Sequence, residues 1–342
     1  MRAGYPALTN IIFESVKGRA RGFFGRRDHI VQPWLGNASM LSSLSVIARG
    51  NADAAPAVPV GPFLEYSFDR SISMFWKRKS KAGPLGAQGH HAIPEGRRVY
   101  AIGDIHGRDD LFGRVIDMIR ADHEARGPAE LTIILLGDLV DRGPESARVV
   151  ERALELKREF SDTRLLIGNH EECFLAALTG DVRRLKYFMR IGGDATIRSY
   201  WGDDEGFEMA SFDEVAARLP TLVPSRHVDF LGNGEDLIEI GDFAFVHAGV
   251  RPGVPLEKQD RNDLRWIRDD FLDHMGDHGK MIVHGHTITA CPDEQANRLG
   301  IDTGAFKSGT LAALGLEADA RWFLFARDSD AGLDKRDPIV ET

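Results

Sequence analysis

An α/β fold built on neighbouring parallel strands is what this sequence predicts, and three observations carry the prediction. From Arg97 onward, short apolar runs alternate with stretches in which apolar residues recur at helical spacing. Three successive runs end on a glycine followed at once by polar residues: Gly103-Asp104-Ile105-His106-Gly107, then Gly137-Asp138-Leu139-Val140-Asp141-Arg142-Gly143, then Gly168-Asn169-His170-Glu171. Apolar residues at 43% and charged residues at 28% supply an ordinary globular core. A β-α-β-α-β series of this kind sets its strands side by side and leaves the chemistry at their carboxyl ends.

The elements follow in chain order. Residues 99–102 form a short apolar strand, and Leu111, Val115, Met118 and Ile119 then mark a helix. A buried strand spans 131–136. Pro144 stands where a first helical turn tolerates proline, and Val149, Val150, Ala153 and Leu154 continue that helix. Residues 164–167 make a third strand, followed by a helix from about Glu171. The stretch 192–236 is polar, glycine-rich and poorly periodic, which predicts an inserted excursion rather than core. Strand character returns at 243–246 and 281–283, with a helix over 264–271 between them. Residues 311–316 and 321–325 read as a hairpin completing a second sheet.

Composition narrows the partners. The 52 acidic against 43 basic side chains leave a formal charge of -9, which repels a nucleic-acid backbone. Cys173 and Cys291 are the two cysteines, far apart, so neither a disulfide framework nor a thiolate zinc site is indicated and a cytoplasmic protein is expected. No apolar run is long enough for a membrane span. Residues 1–73 lack strand or helix period and crowd Pro56, Pro59 and Pro62, which predicts little packed structure. A secretory signal is a poor reading, since serines interrupt the apolar run 40–48 and Arg26 and Arg27 lie far in. A start at Met74 accounts for the stretch at least as well, and a chain shortened to that point is expected to fold and stay active.

Residue types at the strand ends point to metal chemistry. Two divalent metals close together can clamp a phosphate and bring the pKa of a shared water from about 16 towards about 7. Cations so close need an anionic bridge, which Asp138 offers from the middle strand; Asp104 and His106 suit the first metal and Asn169 the second. Oxygen ligands mixed with imidazole, and no thiolate, fit manganese, iron or zinc. Further imidazoles come from His247 or from the pair His284 and His286, which share a face if their strand continues. The remaining histidines, His227 among them, read as solvated. Arg108 reads as a solvated helix-opening arginine, Glu171 as a first-turn acid, and Asp302 as a carboxylate behind the metal ligands or only a turn former before Gly304.

These residues resemble the phosphoprotein phosphatase family of calcineurin-like metallophosphoesterases, which includes eukaryotic serine/threonine phosphatases and bacteriophage lambda phosphatase. The motifs G-D-x-H-G, G-D-x-V-D-R-G and G-N-H-E match without substitution. Later signatures also match: Val246-His247-Ala248, Trp266-Ile267-Arg268, Gly285-His286-Thr287 and Asp302-Thr303-Gly304-Ala305. The resemblance implies a four-layer αββα sandwich with two mixed sheets and a dinuclear metal site. It assigns residues 97–328 to the catalytic domain, with 74–96 a linker and 329–342 a tail.

By motif position, Asp104 and His106 would bind the first metal, Asp138 would bridge, and Asn169, His247 and His286 would bind the second, manganese being the first choice. His170 would be the general acid, oriented by Asp141, while Arg142, Arg268 and Asn169 would hold the phosphate. The expected reaction is direct attack of a hydroxide shared by the metals on a phosphoserine or phosphothreonine protein. Two alternatives stand beside it. One is a symmetrical dinucleoside tetraphosphate hydrolase, whose members commonly place alanine where Asp141 stands; the other is a phosphoprotein-binding relative without turnover.

Overall fold

The computed structural model describes residues 91–328 and the short strand Val340–Glu341. The expectations for residues 1–73, for the start at Met74 and for most of the linker and tail lie outside the described residues.

Strand β1 (Arg97–Ile102) leads into helix α1 (Asp109–Arg126), β2 (Glu130–Leu135) into α2 (Ser146–Glu159), and β3 (Thr163–Leu165) into α3 (Asn169–Ala177). β1 pairs with β2 and β2 with β3 in parallel, as the alternation predicts. Next come α4 (Val182–Phe188), a π-helical turn (Met189–Gly193), α5 (Asp194–Trp201), α6 (Asp204–Met209), α7 (Phe212–Leu222) and α8 (Ser225–Gly232). Strands β4 (Leu237–Ile240) and β5 (Phe243–Val246) precede α9 (Arg261–Trp266) and α10 (Asp269–Leu272). The remainder holds β6 (Met281–His284), β7 (Asp293–Glu294), β8 (Arg298–Gly300), α11 (Ala305–Ser308), β9 (Thr310–Glu317), β10 (Ala320–Arg327) and β11 (Val340–Glu341).

The strands form two mixed sheets, ordered β11-β10-β9-β1-β2-β3 and β4-β5-β6-β8-β7. Alternation along each strand then fixes the layers, because successive side chains point to opposite faces. Val99, Ala101, Ile134 and Leu314 pack against Phe245, Val283, Leu299 and Ile301 of the other sheet. Their neighbours Tyr100, Ile102, Ile133 and Leu135 turn outward to Leu111, Val115, Val149 and Phe174 of the helices. On the far side, Ala244, Val246 and Ile282 meet Leu264, Ile267 and Phe271. Three apolar clusters between four layers, two sheets flanked by helices, make the αββα sandwich.

Three local expectations change. The hairpin β9–β10 joins the first sheet, with β9 antiparallel to β1 (Ile102 opposite Ala313), because a local pattern defines a hairpin but not the edge it takes. The excursion 192–236 is helical. α5, α6, α7 and α8 bury Ile197 and Trp201, Phe207, Leu219 and Leu231 respectively in the same core as α1 to α3. Each runs only 6 to 11 residues, too short for an extended apolar period, although Ser211 and Glu214 form a capping box at the start of α7. The helix 264–271 is two helices, since Arg268 leaves helical conformation at φ -133° and ψ -104°.

His227 is buried rather than solvated, bonded through its two ring nitrogens to Tyr200 and Glu151. Cys173 is buried and Cys291 exposed, both free. No helix among the described residues is long and apolar enough to cross a membrane.

Candidate metal centre and active site

The parallel strands end together, and their following loops supply the site. Asp104 and His106 follow β1, Asp138, Asp141 and Arg142 follow β2, and Asn169 and His170 open α3 after β3. His247 and His286 follow β5 and β6 of the second sheet. Among the described residues, six non-glycine residues have positive φ, and five of them are His106, Asp138, Asp141, Arg142 and His286. Left-handed backbone at non-glycine residues costs about 1–3 kcal/mol each and persists where surrounding bonds over-determine it.

Such bonds are present. Ile105 and His106 donate their N–H groups to the carbonyl of Asp138 at 3.2 and 2.9 Å. Glu171 is fully buried, and its carboxylate accepts from the N–H groups of Asp138 (2.7 Å), Leu139 (2.8 Å) and Gly168 (2.9 Å). It therefore ties the second loop to the third, a larger role than a first-turn acid. The sequence could not show this, because those donors become neighbours only when the strand ends converge. Burial, and then the charge of Asp138, push the Glu171 carboxyl up to about 7.

Asp138 lies at the centre. Its Oδ2 is 3.5 Å from His106 Nε2, and its Oδ1 is 3.4 Å from His247 Nε2. His106, Asp138 and His170 form one group, and Asp138, His247 and His286 another; within each, the ligand atoms lie within 4.8 Å of one another. Only Asp138 belongs to both. Asn169 Oδ1 is 3.0 Å from His247 Nε2. Asp104 Oδ2 accepts the His286 N–H at 3.0 Å, leaving its Oδ1 buried without a partner, as is His286 Nε2.

The donor set fits divalent metals. His106 Nδ1 and His247 Nδ1 each meet a backbone carbonyl, of Val140 at 2.7 Å and Leu136 at 2.8 Å, which fixes the proton on Nδ1 and leaves Nε2 as the acceptor facing Asp138. Burial, outweighing the pull of Asp138, holds His106 down to about 3, and burial with neighbouring His247 holds His286 down to about 2. Both stay neutral, as ligands must. Burial works against charge on Asp138, but His247, His170, His106 and His286 outweigh it and hold the carboxyl low. Asp104 is instead pushed well up by burial and by the charges of Asp302 and Asp138, so three carboxylates crowd a site that cations would relieve.

Two ions bound at about 100 times their Kd would each stabilise the fold by about 2.7 kcal/mol, and thus raise Tm by roughly 5–10 °C per ion. Chelation should lower the melting temperature accordingly and added manganese restore it; equal melting with and without chelator would mean that the cluster holds no ions.

His170 is differently placed from the other imidazoles. Its Nδ1 is 2.5 Å from Asp141 Oδ2, and Arg142 Nη2 donates to its Nε2 at 2.8 Å, while Arg142 Nη1 donates to His106 Nε2 at 2.8 Å. Burial depresses the His170 imidazolium, but Asp138 and the bond to Asp141 outweigh it and hold the pKa above the ordinary histidine range. His170 therefore belongs to the first group by distance only: its nitrogens are taken by Asp141 and Arg142, while the buried, unpartnered Asp104 Oδ1 is free to complete that group with His106 and Asp138, which leaves His170 to proton transfer.

The other candidates sort by position. Arg268 is exposed, yet close enough for its charge to lower the pKa of His247 and His286. His284 and His286 do not share a face, because β6 ends at His284 and His286 turns to φ 62°. His284 packs on Phe271 at a ring separation of 5.1 Å, away from the cluster. A Cβ at Gly285, between the two, would collide with the Asp104 carboxylate. Asp302 Oδ1 accepts the Gly304 N–H at 2.8 Å, and its charge also reaches Asp104, so both expected roles apply. Arg108 is not solvated: it bonds to Asp110, to the Ala305 carbonyl and to Asp328. Phe306, which no local signal distinguishes from core, lies edge-on to His106 at 5.4 Å and under Arg142 at 4.9 Å.

A symmetrical bis(5'-nucleosyl)-tetraphosphatase of Acidovorax sp. (strain JS42) is 40% identical over 180 residues, covering 52% of this chain and 49% of that protein. The chain thus spans about half the length of that relative, and 27% of the corresponding Acidovorax ebreus enzyme. A zinc-dependent endopolyphosphatase of Saccharomyces cerevisiae is 25% identical over 268 residues, 68% of this chain and 79% of that one. The solved structure of a provisionally named diadenosine tetraphosphatase is 20% identical with a TM-score of 0.47, covering 70% of this chain and all of that chain. The family model for calcineurin-like phosphoesterases matches residues 97–303, more than half of the sequence and every strand end described above, and the chain belongs to that family.

Proposed function

We propose that this chain is a dinuclear-metal phosphohydrolase acting on a nucleoside polyphosphate of the symmetrical dinucleoside tetraphosphate kind. The observation that carries the chemistry is Asp138, shared between two groups of buried nitrogen and oxygen donors. Divalent metals held there, manganese first and iron or zinc also compatible, would polarise the phosphoryl oxygens and make water nucleophilic near neutral pH. Arg142 and Arg268 bind the phosphate, guanidinium being a permanently charged planar fork suited to it. A bound phosphate draws Arg142 away from His170 Nε2; the freed nitrogen takes a proton from water, favoured by Asp141 and Asp138 beside the ring, and gives it to the oxygen leaving phosphorus as the P–O bond breaks. The choice of nucleotide rests on relatives 40% and 41% identical over part of the chain, which carry tetraphosphatase names. A cleft of about 580 Å³ beside Arg142, reaching Asp194, Arg198 and Asp204, is of a size to take the rest of such a substrate.

A second reading, hydrolysis of phosphoserine or phosphothreonine in proteins, is favoured by one feature. The buried His170–Asp141 pair suits a high-pKa alkoxide, which needs a proton to leave, more than a nucleotide phosphate, which leaves readily. Manganese-supported assays on diadenosine tetraphosphate and on several phosphopeptides, side by side, decide between them. The tetraphosphate should show the higher kcat/KM, by about tenfold or more, equivalent to about 1.4 kcal/mol. The reverse order would promote the protein phosphatase, and absence of turnover on both would leave a binding protein.

A further inference from the structure

The helical excursion reaches into the acid pair. Thr196, in the first turn of α5 and fully buried, donates its hydroxyl to Asp141 Oδ1 at 2.6 Å, while Asp141 Oδ2 faces His170 Nδ1. The same hydroxyl oxygen accepts the Asp141 N–H at 2.7 Å. Asp141 and Arg142 hold left-handed φ values of 74° and 68°, and the Arg142 N–H donates to the Gly192 carbonyl at 3.0 Å, within the π-helical turn. Ser146 Oγ, at the start of α2, also accepts the Asp141 N–H at 3.0 Å. Ser199 of α5 accepts the Ala147 N–H at 3.1 Å, so α5 grips both this loop and the helix after it.

We propose that Thr196 is a positioning residue for catalysis, and that the π-turn and α5 are built to hold the Asp141–Arg142 loop rather than only to cover the domain. Two bonds from one hydroxyl fix separate things. The bond to Oδ1 sets the carboxylate so that Oδ2 aims at His170, and the bond from the Asp141 N–H holds the strained backbone that turns Arg142 towards His106 and His170. A carboxylate with Oδ1 unanchored can rotate, and His170 then loses its orientation. The inference rests on His170 as proton donor and adds what keeps that donor aimed.

The test compares Thr196→Val, similar in shape but without the hydroxyl, with Thr196→Ser, which retains it. Each is assayed on an alkyl phosphate and on an activated aryl phosphate, with metal content measured. Thr196→Val should lower kcat on the alkyl ester by about 10- to 100-fold, the scale of losing an outer orienting partner, with little change on the aryl ester and two metals retained. Thr196→Ser should restore the alkyl activity. Equal losses on both esters, or no restoration by serine, would overturn the proposal. Thr196→Ala serves if the valine variant does not fold, and unfolding of both would make the hydroxyl a stability element and overturn the catalytic role. His170→Asn in the same assay separates the two claims: if it fails to discriminate between the esters, the proton-donor reading is wrong. If it discriminates and Thr196→Val does not, only the role of Thr196 falls.

Discussion

Asp138→Asn is expected to strip the protein of metal at both groups and reduce turnover by more than the roughly 10- to 100-fold typical of losing an outer partner. The expectation comes from placement: this carboxylate alone belongs to both donor groups, within 3.5 Å of His106 Nε2 on one side and 3.4 Å of His247 Nε2 on the other. A neutral amide keeps the shape but removes the charge that allows two cations to approach. Because the Glu171 carboxylate bonds to the backbone N–H of residue 138, the loop itself should survive the change. Metal analysis of the purified variant checks this, and two metals per chain with undiminished turnover would contradict the bridging role.

The second large effect is expected at His170. Replacement by Asn should leave metal content intact but lower kcat by roughly 10²- to 10⁴-fold on a substrate with a high-pKa leaving group. The backbone N–H of residue 170, which donates to Asp138 Oδ1 at 3.1 Å, is unchanged by the substitution, so the metal groups keep that support. An activated aryl phosphate, whose leaving group needs little protonation, should lose far less. Comparable losses on the two esters would assign His170 an electrostatic or structural part instead of proton donation.

The sequence made the first sheet's parallel core legible, because each of its three strands announces itself by an apolar run, a glycine and a polar cluster within a few residues. The same local signal picked out Asp104, His106, Asp138, Asp141, Arg142, Asn169 and His170; His247 stood out as a histidine ending an apolar strand, while His286 and Arg268 were assigned by the family resemblance, and the structure brings the two donor groups together at the strand ends. What that signal could not show depends on distant parts of the chain meeting. The hairpin β9–β10 joins β1 across some 200 residues. The helices of the excursion each bury only a few apolar side chains, so no period emerges although their combined face is core. Glu171 and Thr196 share that obscurity, since an acid in a first helical turn and a threonine in a short helix look ordinary until the loop after β2 lies against them. The residues alone left His284 and His286 open and the family motif favoured His286; the left-handed turn that ends β6 early is what sets them apart in the structure.

Asp138 is placed to hold two metals at once, and manganese titration of the metal-free protein tests this most directly. Followed by metal analysis and by electron paramagnetic resonance, it should show two ions per chain whose spins are coupled, as expected of ions sharing one carboxylate. A single ion at saturation, or two ions without coupling, would contradict it.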